Sequence, residues 1–78
     1  MRIVVYTKSG CPNCTTAKRL LAFKKLTYEE IDTEAKPEAL RALTELHPSI
    51  RQMPQIFING QRVGGLAGLQ AALHEAGL

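Results

Sequence analysis

Apolar positions along the first half of the chain change their spacing twice, and each spacing predicts a strand or a helix. Residues 3–6 form a β-branched and aromatic run bounded by Gly10 and Pro12, which is typical of a buried strand. From Pro12 to about Lys25 the spacing becomes helical. The inward positions of this helix are Ala17, Leu20, Leu21 and Lys24. Residues 26–32 alternate in part and predict a second strand.

A second helix is predicted between two prolines. Pro37 fits the first position of a helix, and the helix should end before Pro48, since a residue before proline avoids the helical conformation. Its inward face is expected to carry Leu40, Leu43 and Leu46.

A hairpin and a third helix complete the chain. Residues 55–58 predict a strand, and Asn59-Gly60 is a strong signal for a two-residue turn into a strand over residues 61–63. A last amphipathic helix follows Gly64-Gly65. Its apolar positions are Leu66, Leu69, Leu73 and Ala76.

The predicted order is β-α-β-α-β-β-α. A strand–helix–strand unit implies a parallel pair with a right-handed crossover, and the hairpin adds an antiparallel pair. The simplest closure is a four-stranded mixed sheet flanked by three helices, with helices on both faces, over one domain of residues 1–78. This α/β arrangement is the plan of the thioredoxin fold.

Composition and charge limit the expected location and the class of ligand, but they do not indicate an activity. The chain of 78 residues is 45% hydrophobic, and no apolar run approaches the roughly 18 residues that span a bilayer. The N-terminal apolar stretch is too short for a signal peptide, so we expect a cytoplasmic location. We also expect a monomer that binds no membrane. The net charge of +3 is dispersed. It favours small anionic ligands and argues against nucleic acid.

Two cysteines stand where the first strand gives way to the first helix, in Cys11-Pro12-Asn13-Cys14. Because proline suits the first helical position, Cys11 is expected at the N-cap and Cys14 at the third position. There the free N–H groups and the helix dipole favour a thiolate. Such thiols have pKa values of roughly 3.5–7.5, against about 8.5 for free cysteine. We therefore expect Cys11 to attack and the more buried Cys14 to resolve the mixed disulfide.

A structural disulfide and a zinc site are the alternative uses of this pair. A disulfide that closes so short a loop stabilises a fold little, and a reducing compartment opposes it. Zinc needs four ligands, and the other imidazoles, His47 and His74, do not stand at finger-like spacing from the cysteines. We expect His47 at a helix C-terminus and His74 in solvent. The sequence thus favours redox chemistry and predicts no metal site.

Three segments resemble the glutaredoxin family. Residues 6–14, Tyr-Thr-Lys-Ser-Gly-Cys-Pro-Asn-Cys, are similar to its active-site segment, usually Tyr-(Ser/Thr)-Lys-x-x-Cys-Pro-Tyr-Cys. Residues 51–58 resemble its Thr-Val-Pro segment with the following strand, and residues 59–65 resemble its hairpin and Gly-Gly turn. The resemblance covers essentially the whole chain, in order. It implies a thiol–disulfide oxidoreductase that reduces protein disulfides or glutathione mixed disulfides and is recharged by glutathione.

By the same resemblance, glutathione would bind beside the cysteines. Pro54 would follow a cis peptide bond and lie beside the Cys11 sulfur. The backbone of Met53 would pair with the cysteinyl part of glutathione. Lys8 would meet a glutathione carboxylate, and Asn13 would face the ligand from the position where the family usually has Tyr.

The opening of the last helix would hold the other end of glutathione. Backbone N–H groups near Gly65 and Leu66 would bind the γ-glutamyl carboxylate. The family commonly has an acidic side chain in the next positions, whereas this chain has Leu66-Ala67-Gly68. Gln52 also replaces the usual Thr. We therefore expect weaker glutathione binding than in relatives that carry the acid.

These departures keep two alternatives open. Small redoxins associated with ribonucleotide reductase have this size and take electrons from thioredoxin reductase. Some glutaredoxins instead hold a two-iron, two-sulfur cluster between two subunits, for which Asn13 would leave room and Pro12 would be a hindrance. Our interpretation is a dithiol enzyme with no bound cofactor, with glutathione as electron donor and with disulfide-bearing proteins such as ribonucleotide reductase as substrates.

Overall fold

The computed structural model describes residues 1–78 and contains four strands and three helices. In chain order they are β1 (Ile3–Thr7), α1 (Pro12–Phe23), β2 (Glu29–Asp32), α2 (Pro37–Leu46), β3 (Gln55–Ile58), β4 (Gln61–Gly64) and α3 (Leu66–Glu75). The sheet has the strand order β2-β1-β3-β4. β1 and β2 are parallel, and the other two pairs are antiparallel. The predicted thioredoxin fold and its mixed four-stranded sheet are confirmed.

One face of the sheet carries the hydrophobic core. Period-two alternation places Ile3 and Val5 of β1 on the same face, and Ile56 of β3 stands opposite Val5. Helices α1 and α3 pack together over this face. The fully buried cluster consists of Ile3, Val5, Ala17, Leu21, Ile56, Leu69 and Leu73. Because α1 is fixed through this core, its N-terminus is held at the end of β1, where the cysteines lie.

The opposite face of the sheet carries a smaller aromatic cluster. The rings of Tyr6 and Phe57 meet edge to face, with centroids 5.7 Å apart. His47, the C-cap of α2, tilts against Phe57 at 5.5 Å. The end of α2 therefore packs against this face at Phe57, and the prediction that His47 ends a helix is confirmed.

The first helix ends earlier than its apolar spacing predicts. Lys25 adopts a left-handed φ of 58°, and its N–H donates to the carbonyl of Ala22 while that of Leu26 donates to Leu21. This pair of bonds is a Schellman motif, here formed without glycine. The motif ends α1 at Phe23, and β2 begins at Glu29 rather than at Leu26. The predicted bounds of both elements were too wide.

Two apolar positions assigned to inward helix faces are in fact exposed. Leu43 is buried and Leu40 partly so, but Leu46 is 78% exposed, so the prediction for Leu46 was wrong. A helix turns 100° per residue, so after Leu43 the next inward position is residue 47, which His47 fills against Phe57. Ala76 is likewise exposed, just beyond the end of α3. No helix of the structure has the length and apolar character required to cross a bilayer.

Candidate active site

The cysteine turn lies at the N-terminus of α1. Cys11 is the N-cap residue, with extended backbone angles (φ −115°, ψ 99°), and Pro12 occupies the first helical position. The backbone N–H of Cys14 donates to the Sγ of Cys11 at 3.1 Å. The predicted cap is therefore confirmed. The Sγ of Cys11 accepts a hydrogen bond from an N–H group that has no acceptor within the helix. This hydrogen bond stabilises negative charge on the sulfur.

The two sulfurs are joined in a disulfide whose Cα atoms are 5.3 Å apart. Cys14 is only 2% exposed, whereas Cys11 is partly open to solvent. An incoming sulfur therefore has access to Cys11 and not to Cys14. This difference in access agrees with the roles that the sequence predicts for the two residues.

A second segment meets the cysteine turn from the loop before β3. The Met53–Pro54 peptide bond is cis, as expected, and the carbonyl oxygen of Met53 lies 3.4 Å from the Sγ of Cys11. Met53 forms no hydrogen bond with another backbone group, so its N–H and the second lone pair of its C=O can pair with an extended ligand. Pro54 itself is buried.

A cleft of about 310 Å³ surrounds Cys11. Its lining residues are Lys8, Gly10, Cys11, Pro12, Asn13, Gln52 and Met53. Three residues assigned from the sequence, Lys8, Asn13 and Met53, are thus brought together around the sulfur. The expectation that they share one site agrees with this arrangement.

A neighbouring groove of about 240 Å³ extends the cleft towards α2. It shares Lys8, Gln52 and Met53 with the cleft, and it adds Arg51. No acidic side chain lines either cavity. Because the cationic residues Lys8 and Arg51 line these cavities and form their cationic rim, the surface beside Cys11 favours an anionic ligand. Arg41, on α2, is exposed and lines neither cavity.

The start of α3 forms the third segment near the site. Gly65 is its N-cap, and the carbonyl oxygen of Pro54 lies 3.5 Å from the position that a Cβ on Gly65 would take. A Cβ on Gly68 would overlap the carbonyl oxygen of Val63, so glycine lets the first turn of α3 approach β4. Gly65 therefore adjoins Pro54, but neither Gly65 nor Leu66 lines the cleft around Cys11.

Sequence reasoning missed the loop that supports the active-site turn from the side of β2. Thr33 donates to the carbonyl of Thr7 through its N–H and its hydroxyl, both at 2.8 Å. Glu34 accepts two hydrogen bonds from Ser9. Asp32 at the start of a polar turn is a recognisable Asx signal, but nothing in the sequence indicates which loop it faces.

A hydrogen-bonded cluster of Glu30, Thr7 and Lys18 joins β2, β1 and α1. The Oε2 of Glu30 accepts hydrogen bonds from the Thr7 hydroxyl at 2.8 Å and from the Lys18 ammonium at 3.0 Å. These two bonds, that from Thr7 above all, hold the pKa of Glu30 below its ordinary value of 4.5. The cluster ties β2 to the end of β1 and to α1.

Comparison with known proteins identifies this architecture. The family model described as Glutaredoxin matches residues 3–63. The chain belongs to the glutaredoxin family. A glutaredoxin of Neisseria meningitidis serogroup A is 40% identical over 77 residues, which cover 97% of this chain and 89% of that protein. Family membership makes the protein a glutaredoxin-like thiol–disulfide oxidoreductase, with Cys11 and Cys14 in place for a dithiol active site.

Two solved structures with this fold resemble the chain over most of its length. The glutaredoxin-like NrdH-redoxin of Escherichia coli, whose activity profile is described as thioredoxin-like, has a TM-score of 0.79 and 27% identity. The match covers 94% of this chain and 93% of that one. A buckwheat glutaredoxin in complex with glutathione also has a TM-score of 0.79, with 25% identity, and covers 95% and 69% of the two chains.

Proposed function

We propose that this glutaredoxin reduces protein disulfides and glutathione mixed disulfides by a dithiol mechanism and is recharged by glutathione. The observation that carries the proposal is the setting of Cys11. Its sulfur is partly exposed at a helix N-terminus, 3.1 Å from a backbone N–H donor, and it faces the free backbone of Met53. Cys14 is buried directly behind it. A substrate held by Met53 would therefore present its sulfur to the accessible cysteine.

In the first half of the reaction the reduced enzyme transfers two electrons to the substrate. The Cys11 thiolate attacks one sulfur of the substrate disulfide, which forms a mixed disulfide and releases the other substrate sulfur as a thiolate. The Cys14 sulfur, after losing its proton, attacks the Sγ of Cys11 and releases the second substrate thiolate. The two released thiolates take up protons from solvent. The substrate is then reduced, and Cys11 and Cys14 are joined in the disulfide that the structure contains.

In the second half two glutathione molecules return the electrons. The first glutathione thiolate attacks Cys11, which forms a glutathione mixed disulfide and frees the Cys14 sulfur. The second attacks the glutathione sulfur of that mixed disulfide, so that oxidised glutathione leaves and the Cys11 thiolate is restored. Attack on Cys11 rather than on Cys14 follows from the burial of Cys14.

The proposed glutathione site uses three segments of the chain. Met53 pairs through its backbone groups, and the adjoining Pro54 shapes the groove. Lys8 binds a carboxylate, and Asn13 lines the same cleft. The cationic rim and the absence of acidic lining residues support an anionic tripeptide. Backbone N–H groups at Gly65 and Leu66 take the second carboxylate, because they open a helix of ten residues.

One specific observation supports thioredoxin reductase as an alternative electron donor. The first turn of α3 reads Leu66-Ala67-Gly68 and has no acidic residue, so no side-chain carboxylate stands there to bind the glutathione ammonium. The comparably similar NrdH-redoxin is described as having a thioredoxin-like activity profile. Thioredoxin reductase is therefore the alternative donor, and the dithiol chemistry would be the same.

A single coupled assay separates the two donors. The protein is supplied with a disulfide substrate and either glutathione with its reductase or thioredoxin reductase, each with NADPH. We expect turnover with glutathione and little with thioredoxin reductase. The reverse result would overturn glutathione dependence and leave the thiol–disulfide chemistry intact. A Cys11→Ser variant, inactive with both donors, is the control for nonenzymatic exchange.

A further inference from the structure

The active-site loop between β1 and α1 is held by one carboxylate. The Oε1 of Glu34 accepts a hydrogen bond from the backbone N–H of Ser9 at 3.2 Å and another from its hydroxyl at 2.5 Å. Two donors from one residue converge on one oxygen, so the carboxylate restrains both the backbone and the side chain of Ser9.

No other hydrogen bond holds this loop. Residues 8–10 are exposed, and none of them takes part in a backbone hydrogen bond in any turn, loop or cap. Gly10 adopts a left-handed φ of 65°, which glycine reaches without strain but does not itself enforce. Between Thr7 and Cys11, each of which is fixed by its own contacts, the loop is therefore held only by its hydrogen bonds to Glu34.

Glu34 itself projects from a fixed backbone. Asp32 accepts hydrogen bonds from the N–H groups of Glu34 at 2.9 Å and of Ala35 at 3.3 Å, which closes a tight turn. The intervening Thr33 donates twice to the carbonyl of Thr7, the last residue of β1. The turn after β2 is thus joined to the end of β1. The backbone that carries Glu34 is therefore fixed by hydrogen bonds on the side of Ser9.

We propose that Glu34 is a positioning residue that keeps Lys8 on the rim of the substrate cleft. Lys8 directly precedes Ser9 and lines both cavities beside Cys11. Cys11 is fixed separately, by its place at the N-cap of α1. Loss of the Glu34 contact therefore loosens the binding group and leaves the nucleophile in place. The inference rests on the proposed function, in which Lys8 binds a substrate carboxylate.

Steady-state kinetics on a glutathionylated peptide test this role. For Glu34→Ala we expect KM to rise about threefold to tenfold with kcat nearly unchanged, because binding and not attack is weakened. Glu34→Gln keeps an amide oxygen that can accept both hydrogen bonds from Ser9, so its KM should stay close to that of the wild type. In a Lys8→Ala background the same Glu34→Ala change should alter KM by less than about twofold, since its effect acts through Lys8. An unchanged KM in Glu34→Ala, or an equal rise in both backgrounds, would overturn the proposal.

A matched control and a second readout separate this inference from the proposed function. Glu38→Gln removes another exposed carboxylate, one that makes no side-chain hydrogen bond in the first turn of α2, and should leave KM unchanged. Backbone ¹⁵N relaxation of Ser9 and Gly10 needs no substrate. We expect order parameters of about 0.85 in the wild type and in Glu34→Gln, and clearly lower values in Glu34→Ala. If the wild type does not turn over the peptide, the proposed function fails, whereas equal order parameters in all three proteins would refute the restraint by Glu34.

Discussion

The carbonyl oxygen of Met53 lies 3.4 Å from the Sγ of Cys11, although the two residues are 42 positions apart in the chain. The contact joins the N-terminus of α1 to the loop before β3. Since the N–H and C=O of Met53 form no backbone hydrogen bond, they remain available to a bound extended chain. In the proposed site, a ligand that pairs with Met53 would therefore lie beside the Cys11 sulfur.

The two cysteines should differ sharply in reactivity once reduced. Cys11 is accessible and its sulfur receives the N–H of Cys14, whereas Cys14 is buried. We expect iodoacetamide at pH 6 to modify Cys11 many times faster than Cys14, as followed by mass spectrometry of the reduced protein. Cys11→Ser should abolish activity, and Cys14→Ser should accumulate a mixed disulfide with substrate. Equal alkylation rates would contradict the assignment of Cys11 as nucleophile.

Gln55 should matter more for substrate binding than for stability. The residue is 7% exposed, and its Nε2 donates to the carbonyl of Gln52 at 3.0 Å, in the loop that carries Met53. Its Oε1 is buried without a partner. Gln55→Met removes one hydrogen bond of about 1 kcal/mol and also an unsatisfied acceptor, so the two effects on stability oppose each other.

For Gln55→Met we therefore expect a Tm within a few degrees of the wild type and a raised KM for glutathionylated substrate. Thermal unfolding and steady-state kinetics measure the two quantities. Gln61→Met, on the exposed part of β4, is a control for the same chemical change. A large loss of Tm with unchanged KM would show that Gln55 serves the fold and not the loop.

The folded protein should lose stability in acid in part because Glu30 becomes protonated. Its pKa lies below 4.5 because Thr7 and Lys18 bond to the charged form, so its contribution is fully present above that pH. The contribution is lost as the pH falls through the folded-state pKa. We expect the free energy of unfolding of the oxidised protein to fall less between pH 6 and pH 3 in Glu30→Gln than in the wild type. Urea titrations with Glu29→Gln as control measure this, and identical pH profiles for wild type and Glu30→Gln would refute it.

The sequence predicted the order of elements and the position of the cysteine turn because those features have local signals. Pro12 and Pro37 mark helix starts, and Asn59-Gly60 marks the hairpin. The cap at Cys11 follows from the same proline rule. Family resemblance, and not local physics, supplied the cis bond before Pro54, since an isolated X-Pro bond is usually trans.

Features set by tertiary contact were not predictable. Leu46 has the spacing of a core residue, yet the aromatic contact of His47 with Phe57 fills the next inward position. Lys25 ends a helix in a left-handed conformation that usually signals glycine. Glu34 meets Ser9 across 25 residues, and no local pattern pairs two such positions. Each case depends on which segments the fold brings together.

Restoring an acid at the start of α3 should strengthen glutathione binding. The acid belongs at Ala67, which is exposed, because a side chain on Gly68 would overlap the Val63 carbonyl. An aspartate at position 67 would also face the N-terminus of α3, where negative charge stabilises the helix. The change should therefore not harm the fold.

One charge-assisted hydrogen bond contributes about 1.5–3 kcal/mol, less when exposed, so Ala67→Asp should raise affinity roughly tenfold or somewhat less. Titration of glutathione onto Cys14→Ser, with and without Ala67→Asp, measures the gain, which should shrink at high salt through screening. Ala71→Asp makes the same change in net charge one turn further along α3 and should have little effect. Lys8→Ala should weaken binding in either background, because it removes the partner of the other end of the peptide. If Ala67→Asp leaves affinity unchanged while Lys8→Ala weakens it, the start of α3 does not contact the glutamyl end. If neither change alters affinity, glutathione does not occupy this cleft, and a reductase protein becomes the expected donor.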